Sequence, residues 1–148
     1  MMPKIYEFVK GLGLKGKTLD VGSMNINGCV RDLFPDYIGL DMRPGQNVDI
    51  VAVASKMPFA DGEFDNVVCL EMLEHDASPF ESIREMRRVL KVGGSLVIAV
   101  PSYGFPRHDF PSDYWRFSTD GVGVLLAGMD DIKVSGDTDH AYAIARNR

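Results

Sequence analysis

No stretch of the sequence approaches the roughly 20 apolar residues of a membrane span. The first residues, MMPKIYEFVKGLGLKGK, lack the continuous apolar core and cleavage site of a secretory signal. Positive charge is in deficit, since 16 Lys and Arg against 21 Asp and Glu leave a formal net charge of −5. That balance excludes a general nucleic-acid binder, which needs surplus cations to neutralise phosphates. Cysteine is scarce, and Cys29 and Cys69 lie far apart, in no metal-ligand spacing. Both sit among apolar residues, as buried free thiols of a reducing compartment do. Internal repeats, low-complexity tracts and linkers are absent. The expectation is a cytoplasmic protein with neither a membrane nor a nucleic-acid partner.

What is present fits one domain over 1–148, with 45% hydrophobic and 25% charged residues. Ile5, Phe8, Val9 and Leu12 fall on one face of a helix over 3–12, with Gly11 and Gly13 at its end. TLDV (18–21) reads as a buried strand, GCVRDLF (28–34) as a short helix stopped by Pro35, and YIGLD (37–41) as a second strand ending in an acid. VDIVAVA (48–54) reads as a third strand and FDNVVCLEML (64–73) begins as a fourth. A helix over 78–94 has Ser78 as N-cap, Pro79 in the first turn and an apolar stripe of Phe80, Ile83, Met86, Val89 and Leu90. SLVIAVP (95–101) is a fifth strand, a helix follows Ser118, and DIKVSGD with HAYAIARN closes as a hairpin around 137–139. Strand and helix alternate, then an antiparallel pair ends the chain. The pattern predicts a doubly wound α/β fold with a mostly parallel, seven-stranded sheet, helices on both faces and a C-terminal antiparallel hairpin.

Ligands on such sheets bind beyond the carboxyl ends of the strands. After strand one come Asp20, Gly22, Ser23, Asn25, Asn27 and Gly28. The spacing is not that of a glycine-rich loop, and two readings stand: a ligand loop turned by asparagines, or an ordinary turn. Asp41 ends strand two, about twenty residues on, where a carboxylate can accept both ribose hydroxyls. Together the turn and the acid favour an adenosine-containing cofactor. Triphosphate chemistry is not expected, because no Gly-Lys-Ser/Thr follows the first strand.

LDVG, YIGLDMRPG, MPFADGEFDNVVCLEMLEH and EMRRVLKVGGSLVIAVPS, in this order, resemble the successive motifs of class I S-adenosylmethionine-dependent methyltransferases. GSMNINGCVR resembles a variant first motif of that family, and HDFPSDYWRFS a stretch found after its fifth strand. The resemblance implies S-adenosyl-L-methionine as cofactor and a small-molecule acceptor. It places Asp20 under the methionine moiety, with Gly22, Ser23 and Asn27 in the cofactor loop. Asp41 would hold the ribose, Met42 would pack on the adenine, Ala54 and Ser55 would meet the adenine edge, and Leu70 and Glu71 would flank the sulfonium.

His75 in LEHD and His108 in PRHDF are the candidate general bases, since neutral imidazole takes a proton near pH 7. Each also has a bland reading as a loop histidine. His140 reads as structural, and no three of these residues have metal-ligand spacing in the chain. Trp115 and Phe117 are expected to be packed, with Tyr114 and Arg116 near the acceptor. One departure stands out. The family carries an acid just before Ala54, and here that position is Val53. The missing acceptor for the adenine amino group costs about 0.5–1.5 kcal/mol of cofactor binding. Two functions follow: an active methyltransferase, or a methyltransferase-like binding module that has lost activity. Val53 and the lack of an inserted lid favour the module; Asp20, Asp41, LEH and the polar loop 102–117 favour the enzyme. A site without its own substrate cap can borrow a wall from a second copy, so a homodimer is compatible.

Overall fold

The computed structural model describes residues 3–109 and 112–148, so Phe110 and Pro111 of the expected acceptor loop lie outside the described residues. The order is α1 (Pro3–Gly11), β1 (Thr18–Val21), β2 (Tyr37–Asp41), β3 (Ile50–Val51), β4 (Phe64–Leu70), α2 (Pro79–Val89), β5 (Leu90–Pro101), α3 (Thr119–Leu125), β6 (Asp130–Gly136) and β7 (His140–Arg146). Short 3-10 turns occupy Arg31–Leu33 and Leu73–His75. The strands form one sheet in the order β3-β2-β1-β4-β5-β7-β6. β1 to β5 pair in parallel, while β7 runs antiparallel between β5 and β6. This is the predicted doubly wound sheet with its closing hairpin.

Side chains of a strand alternate between faces, and the two cores separate accordingly. Val67, Cys69, Leu96, Ile98 and Val100 pack with Ile83, Met86 and Val89 of α2 and with Val122 and Leu125 of α3. Val68, Leu70, Val97 and Ala99 pack with Ile5 and Val9 of α1 and with Val30 and Phe34. Burial on both faces explains why β4 and β5 read as continuous apolar runs.

Several boundaries differ from the sequence reading. The helix expected over 28–34 is only the 3-10 turn Arg31–Leu33. Pro35 forces Phe34 into extended backbone, with φ −128 and ψ 110, and too few residues remain to offset helix nucleation. The third strand is two residues at the sheet edge, because Ala52 makes one last bond to the Asp41 carbonyl (3.0 Å) before the chain turns away. α2 stops at Val89, and β5 starts at Leu90, opposite Phe64. Phe80 is 59% exposed, so it is not part of the buried stripe. Ser78 makes no side-chain cap; Asp76 instead accepts the Ser78 amide (2.8 Å) and the Ser82 hydroxyl (2.5 Å). Ser118 caps α3 as expected, accepting the Gly121 amide at 3.0 Å. Cys69 is buried, whereas Cys29 is half-exposed.

The letters of Gly11–Thr18 spell Gly-x-x-x-x-Gly-Lys-Thr, yet they run from α1 into β1, the reverse of a strand-to-helix phosphate loop. Lys17 lies over the Phe64 ring (5.0 Å), and its amide donates to Asp65 (2.8 Å).

Gly39 sits where β2 passes beneath the first turn. A Cβ there would overlap the Asn47 carbonyl oxygen and lie 2.6 Å from the Ser23 hydroxyl. Gly39→Ala is therefore expected to destabilise the fold by about 1–3 kcal/mol, read as a lower denaturation midpoint. An unchanged midpoint refutes this close approach.

Candidate functional site

The parallel order reverses between β1 and β4, and a cavity of about 550 Å³ opens there beyond the strand ends. Ligands of open α/β sheets bind at such a switch point. The turn after β1 makes its first wall. Gly22 has φ 84, and a Cβ on it would fall 2.5 Å from Met72 Cβ, so glycine alone fits. Ser23 is buried; its hydroxyl donates to the Asn47 carbonyl (2.9 Å) and its carbonyl accepts from Asn47 Nδ2 (2.8 Å). Asn25 accepts the Gly28 amide at 2.8 Å, and Asn27 borders the cavity in an exposed position.

Asp20 is buried at the base of this wall. The Tyr37 hydroxyl donates to it at 2.5 Å and in turn accepts from Asn47 Nδ2 at 2.9 Å. Burial pushes the Asp20 carboxyl up to about 7, against the opposing pull of the Tyr37 hydroxyl. The Tyr37 phenol is itself pushed far up, by burial and then by the Asp20 charge. Asp41 accepts the Met24 amide on Oδ2 (3.2 Å) and the Arg43 amide on Oδ1 (3.1 Å). One bond to each oxygen leaves lone pairs for a ligand. Met42, 58% exposed, Val53, Ala54 and Ser55 complete this side.

Across the cavity stand Leu70 and Glu71 at the end of β4. Glu71 has φ 54, and its carboxylate lies 2.6 Å from Nε2 of the buried His140. His140 is thus structural, as expected, but it anchors a cavity residue.

His75 and His108 meet at the far end, their rings 4.8 Å apart and edge to face. Between them lies Glu74, fully buried. Its Oε1 is 3.5 Å from His75 Nε2 and 3.4 Å from His108 Nε2. The neighbouring Glu74 carboxylate holds the His108 imidazolium above its ordinary range. Tyr114 also borders the cavity, its amide bound to the Glu74 carbonyl (2.7 Å). Arg116 does not border it. All five guanidinium N–H groups are spent on the Asp113 carboxylate and the carbonyls of Phe105, Pro106 and Trp115. Its paired acid, Asp113, lies well below the usual carboxylate range because of that guanidinium. Trp115 is 42% exposed rather than packed, with Nε1 donating to the Asp76 carbonyl (2.7 Å). Phe117 packs against the core as expected.

The residues missed from sequence are Tyr37, Asn47 and Glu74. Glu74 stood in view inside LEH, but only the fold shows its burial. Nothing in the chain links Asn47 to the first turn.

A family model described as "Methyltransferase domain" matches residues 19–98, more than half of the chain. The ubiquinone biosynthesis O-methyltransferase of Dechloromonas aromatica is 35% identical over 98 residues, covering 60% of this chain and 40% of that protein. The ubiquinone/menaquinone biosynthesis C-methyltransferase UbiE of Pseudomonas fluorescens is 37% identical over 86 residues, covering 57% of this chain and 33% of that one. The chain thus spans well under half the length of these curated relatives. A SAM-dependent methyltransferase of Thermotoga maritima superposes with a TM-score of 0.79 at 18% identity, covering 97% of this chain and 87% of the other. The 1,6-didemethyltoxoflavin-N1-methyltransferase of Burkholderia thailandensis, solved with S-adenosylhomocysteine, gives 0.76 at 15% identity, over 98% and 77%. These two structures establish the shared fold. With the family model matched across β1 to β5, the chain belongs to the methyltransferase domain family, the class I S-adenosylmethionine-dependent family that its motifs resemble.

Proposed function

We propose that the cavity binds S-adenosyl-L-methionine and that the protein transfers its methyl group to a small-molecule acceptor. The observation that carries this reading is the meeting of Asp20 and Asp41, from the ends of neighbouring strands, on one cavity that ends at two imidazoles. The residues fit the cofactor. Asp41 keeps free lone pairs on both oxygens for the ribose hydroxyls, and Gly22 keeps the first turn clear of side-chain bulk. Met42 and Ala54 supply apolar surface for the adenine, and Ser55 a hydroxyl at its edge. Asn27 and Ser23 shape the loop over the methionine moiety, and Asp20 accepts its ammonium. Leu70 and Glu71 bound the reacting end.

Bound there, the cofactor supplies a methyl group already activated on a sulfonium, so the protein's task is positioning and exclusion of water. His75, His108 and Tyr114 face the acceptor side. Arg116 lies outside the cavity lining, and its hydrogen bonds shape the loop that carries His108 and Tyr114. The two curated relatives act in quinone biosynthesis by their names, and a hydroxylated or ring-carbon acceptor of modest size suits the cavity. The inactive-module reading loses ground, since the described cavity keeps Asp20, Asp41 and both imidazoles together.

Calorimetry with S-adenosylhomocysteine tests this reading. The unmodified chain is expected to bind it, and Asp41→Ala to weaken binding about tenfold or more, the size of hydrogen bonds to a charged acceptor. Absence of binding at about millimolar ligand, where even weak sites fill, overturns the proposal.

Asp20 gives a second expectation. With its carboxyl near 7 in the protein alone, it is mostly protonated at about pH 6, and a ligand ammonium favours its ionised form. Cofactor binding therefore releases a proton at about pH 6 and almost none at about pH 8. Calorimetry in buffers of different ionisation heat counts these protons. Asp20→Asn should abolish the pH-dependent part, and persistence of the release in that variant places the ammonium elsewhere.

Val53, 48% exposed on the cavity wall, marks the third. Val53→Asp is expected to tighten binding by about 0.5–1.5 kcal/mol, the worth of one added hydrogen bond to the adenine amino group. Equal or weaker affinity means that Ser55 or a backbone carbonyl already fills that role.

A further inference from the structure

We propose that Glu74, His75 and His108 form a site for a divalent transition metal, zinc foremost, whose open position takes an oxygen of the methyl acceptor. The acceptor half rests on the methyltransferase reading above; the metal half does not.

The first observation is Glu74 itself. It is fully buried, and neither carboxylate oxygen has a hydrogen-bond partner among the described residues. A buried carboxylate left without hydrogen bonds is costly, and buried charges pair or coordinate metals. What faces it is a pair of imidazoles, with Nε2 atoms at 3.5 Å and 3.4 Å from Oε1. Both separations are long for a charge-assisted hydrogen bond, which runs to about 2.7–2.9 Å. They match the edge of a tetrahedron of ligands around zinc. Bonds of about 2.0–2.1 Å from nitrogen and oxygen set adjacent ligands about 3.3–3.4 Å apart. All three candidate ligand atoms lie within 4.8 Å of one another.

The tautomer of His75 is the second observation. Its Nδ1 lies 2.5 Å from the Ser112 carbonyl oxygen, which can only accept. The N–H bonded there is on Nδ1, which leaves Nε2 as the ring nitrogen turned toward the Glu74 carboxylate. A proton or a metal ion between Nε2 and the carboxylate satisfies both, and a separation of 3.5 Å is long for a proton alone. A ring N–H tied to a backbone carbonyl is also the usual second support of a metal-binding histidine. His108 is held from behind as well. Its backbone N–H donates to Asp113 at 2.7 Å, and Asp113 is locked by Arg116.

Two imidazoles and one carboxylate suit zinc better than magnesium or calcium, which prefer all-oxygen shells. Three protein ligands leave the fourth position open, the pattern of catalytic zinc. Because His75 and His108 also line the cavity, that position belongs to its acceptor end. A hydroxyl or phenol bound there loses its proton more readily, as metal-bound water does. The proton passes to water, the acceptor oxygen forms the new bond to the methyl carbon, and the C–S bonding pair returns to sulfur. The acceptor class is thus an oxygen nucleophile.

The test uses the chain purified, treated with a chelator and titrated with cobalt(II) alone. One cobalt per chain is expected, with the intense visible absorption of a four-coordinate site, displaced by one equivalent of zinc. Glu74→Gln and His108→Ala should each weaken cobalt binding by about tenfold to hundredfold or more. His108 lies on a loop, so its variant carries the test if the buried Glu74 variant fails to fold. S-adenosylhomocysteine binding is measured on the same samples, so that the metal and cofactor sites are read separately. Absence of stoichiometric cobalt binding overturns the proposal, and so does binding that is unchanged in both His75→Ala and His108→Ala. The cluster is then an imidazolium–carboxylate pair. Cobalt bound without S-adenosylhomocysteine overturns the cofactor reading and keeps the metal site.

Discussion

The site depends on a buried carboxylate at the end of the first strand. Asp20 sits in the core side of the cavity and is met by the hydroxyl of Tyr37, which enters from the start of the neighbouring strand. Asn47 holds that hydroxyl and, through the same amide nitrogen, the carbonyl of Ser23. Arg31 reaches Asn47 (2.6 Å) and Asp49 (2.6 Å) and lies 4.4 Å above the Tyr37 ring. Asp49 completes the circuit by accepting the Gly39 amide at 2.8 Å. Four segments that are separate in sequence are joined behind the first turn. A loop that lacks the common glycine spacing is held in shape by this network.

Such a network carries a cost that is put to use. Burial of Asp20 raises its carboxyl toward neutrality of charge, so its preferred state depends on what stands beside it. A cation beside it favours the ionised form, which is the physical basis of the proposed ammonium contact. Glu74 is a second buried carboxylate, in the turn after β4. Its burial is complete, and Nε2 of His75 and of His108 stand 3.5 Å and 3.4 Å from Oε1. Asp20 thus stands in the wall of the cavity, and Glu74 lies behind the two imidazoles that line it.

Much of the fold was legible because it is written in local patterns. Apolar runs marked β4 and β5, the 3.6-residue stripe marked α2, and the turn residues at 137–139 marked the closing hairpin. Boundaries were less legible where tertiary contacts overrode local signals. Asp76, not Ser78, satisfies the start of α2, because its carboxylate reaches both the Ser78 amide and the Ser82 hydroxyl. Leu90 fits the helical stripe by spacing, yet pairing with Phe64 draws it into β5. In the loop after β5, Arg116 was expected near the acceptor, yet it does not border the cavity. Its paired acid stands three residues away, and two carbonyls that it binds lie ten residues or more back in the chain.

The sequence by itself determined the layered α/β architecture, the order of the strands along the chain, and the presence of acids at the ends of β1 and β2. Alternation, periodicity and turn chemistry are properties of neighbours in the chain, so they can be read there. Only the tertiary structure decided which polar groups meet. Tyr37 and Asn47 reach Asp20 because parallel pairing lays β2 against β1. His108 reaches Glu74 and His75, some thirty residues earlier, because the loop after β5 folds back over the turn after β4. Spacing in the chain gave those three residues no relation; the crossover between parallel strands placed them within 4.8 Å of one another.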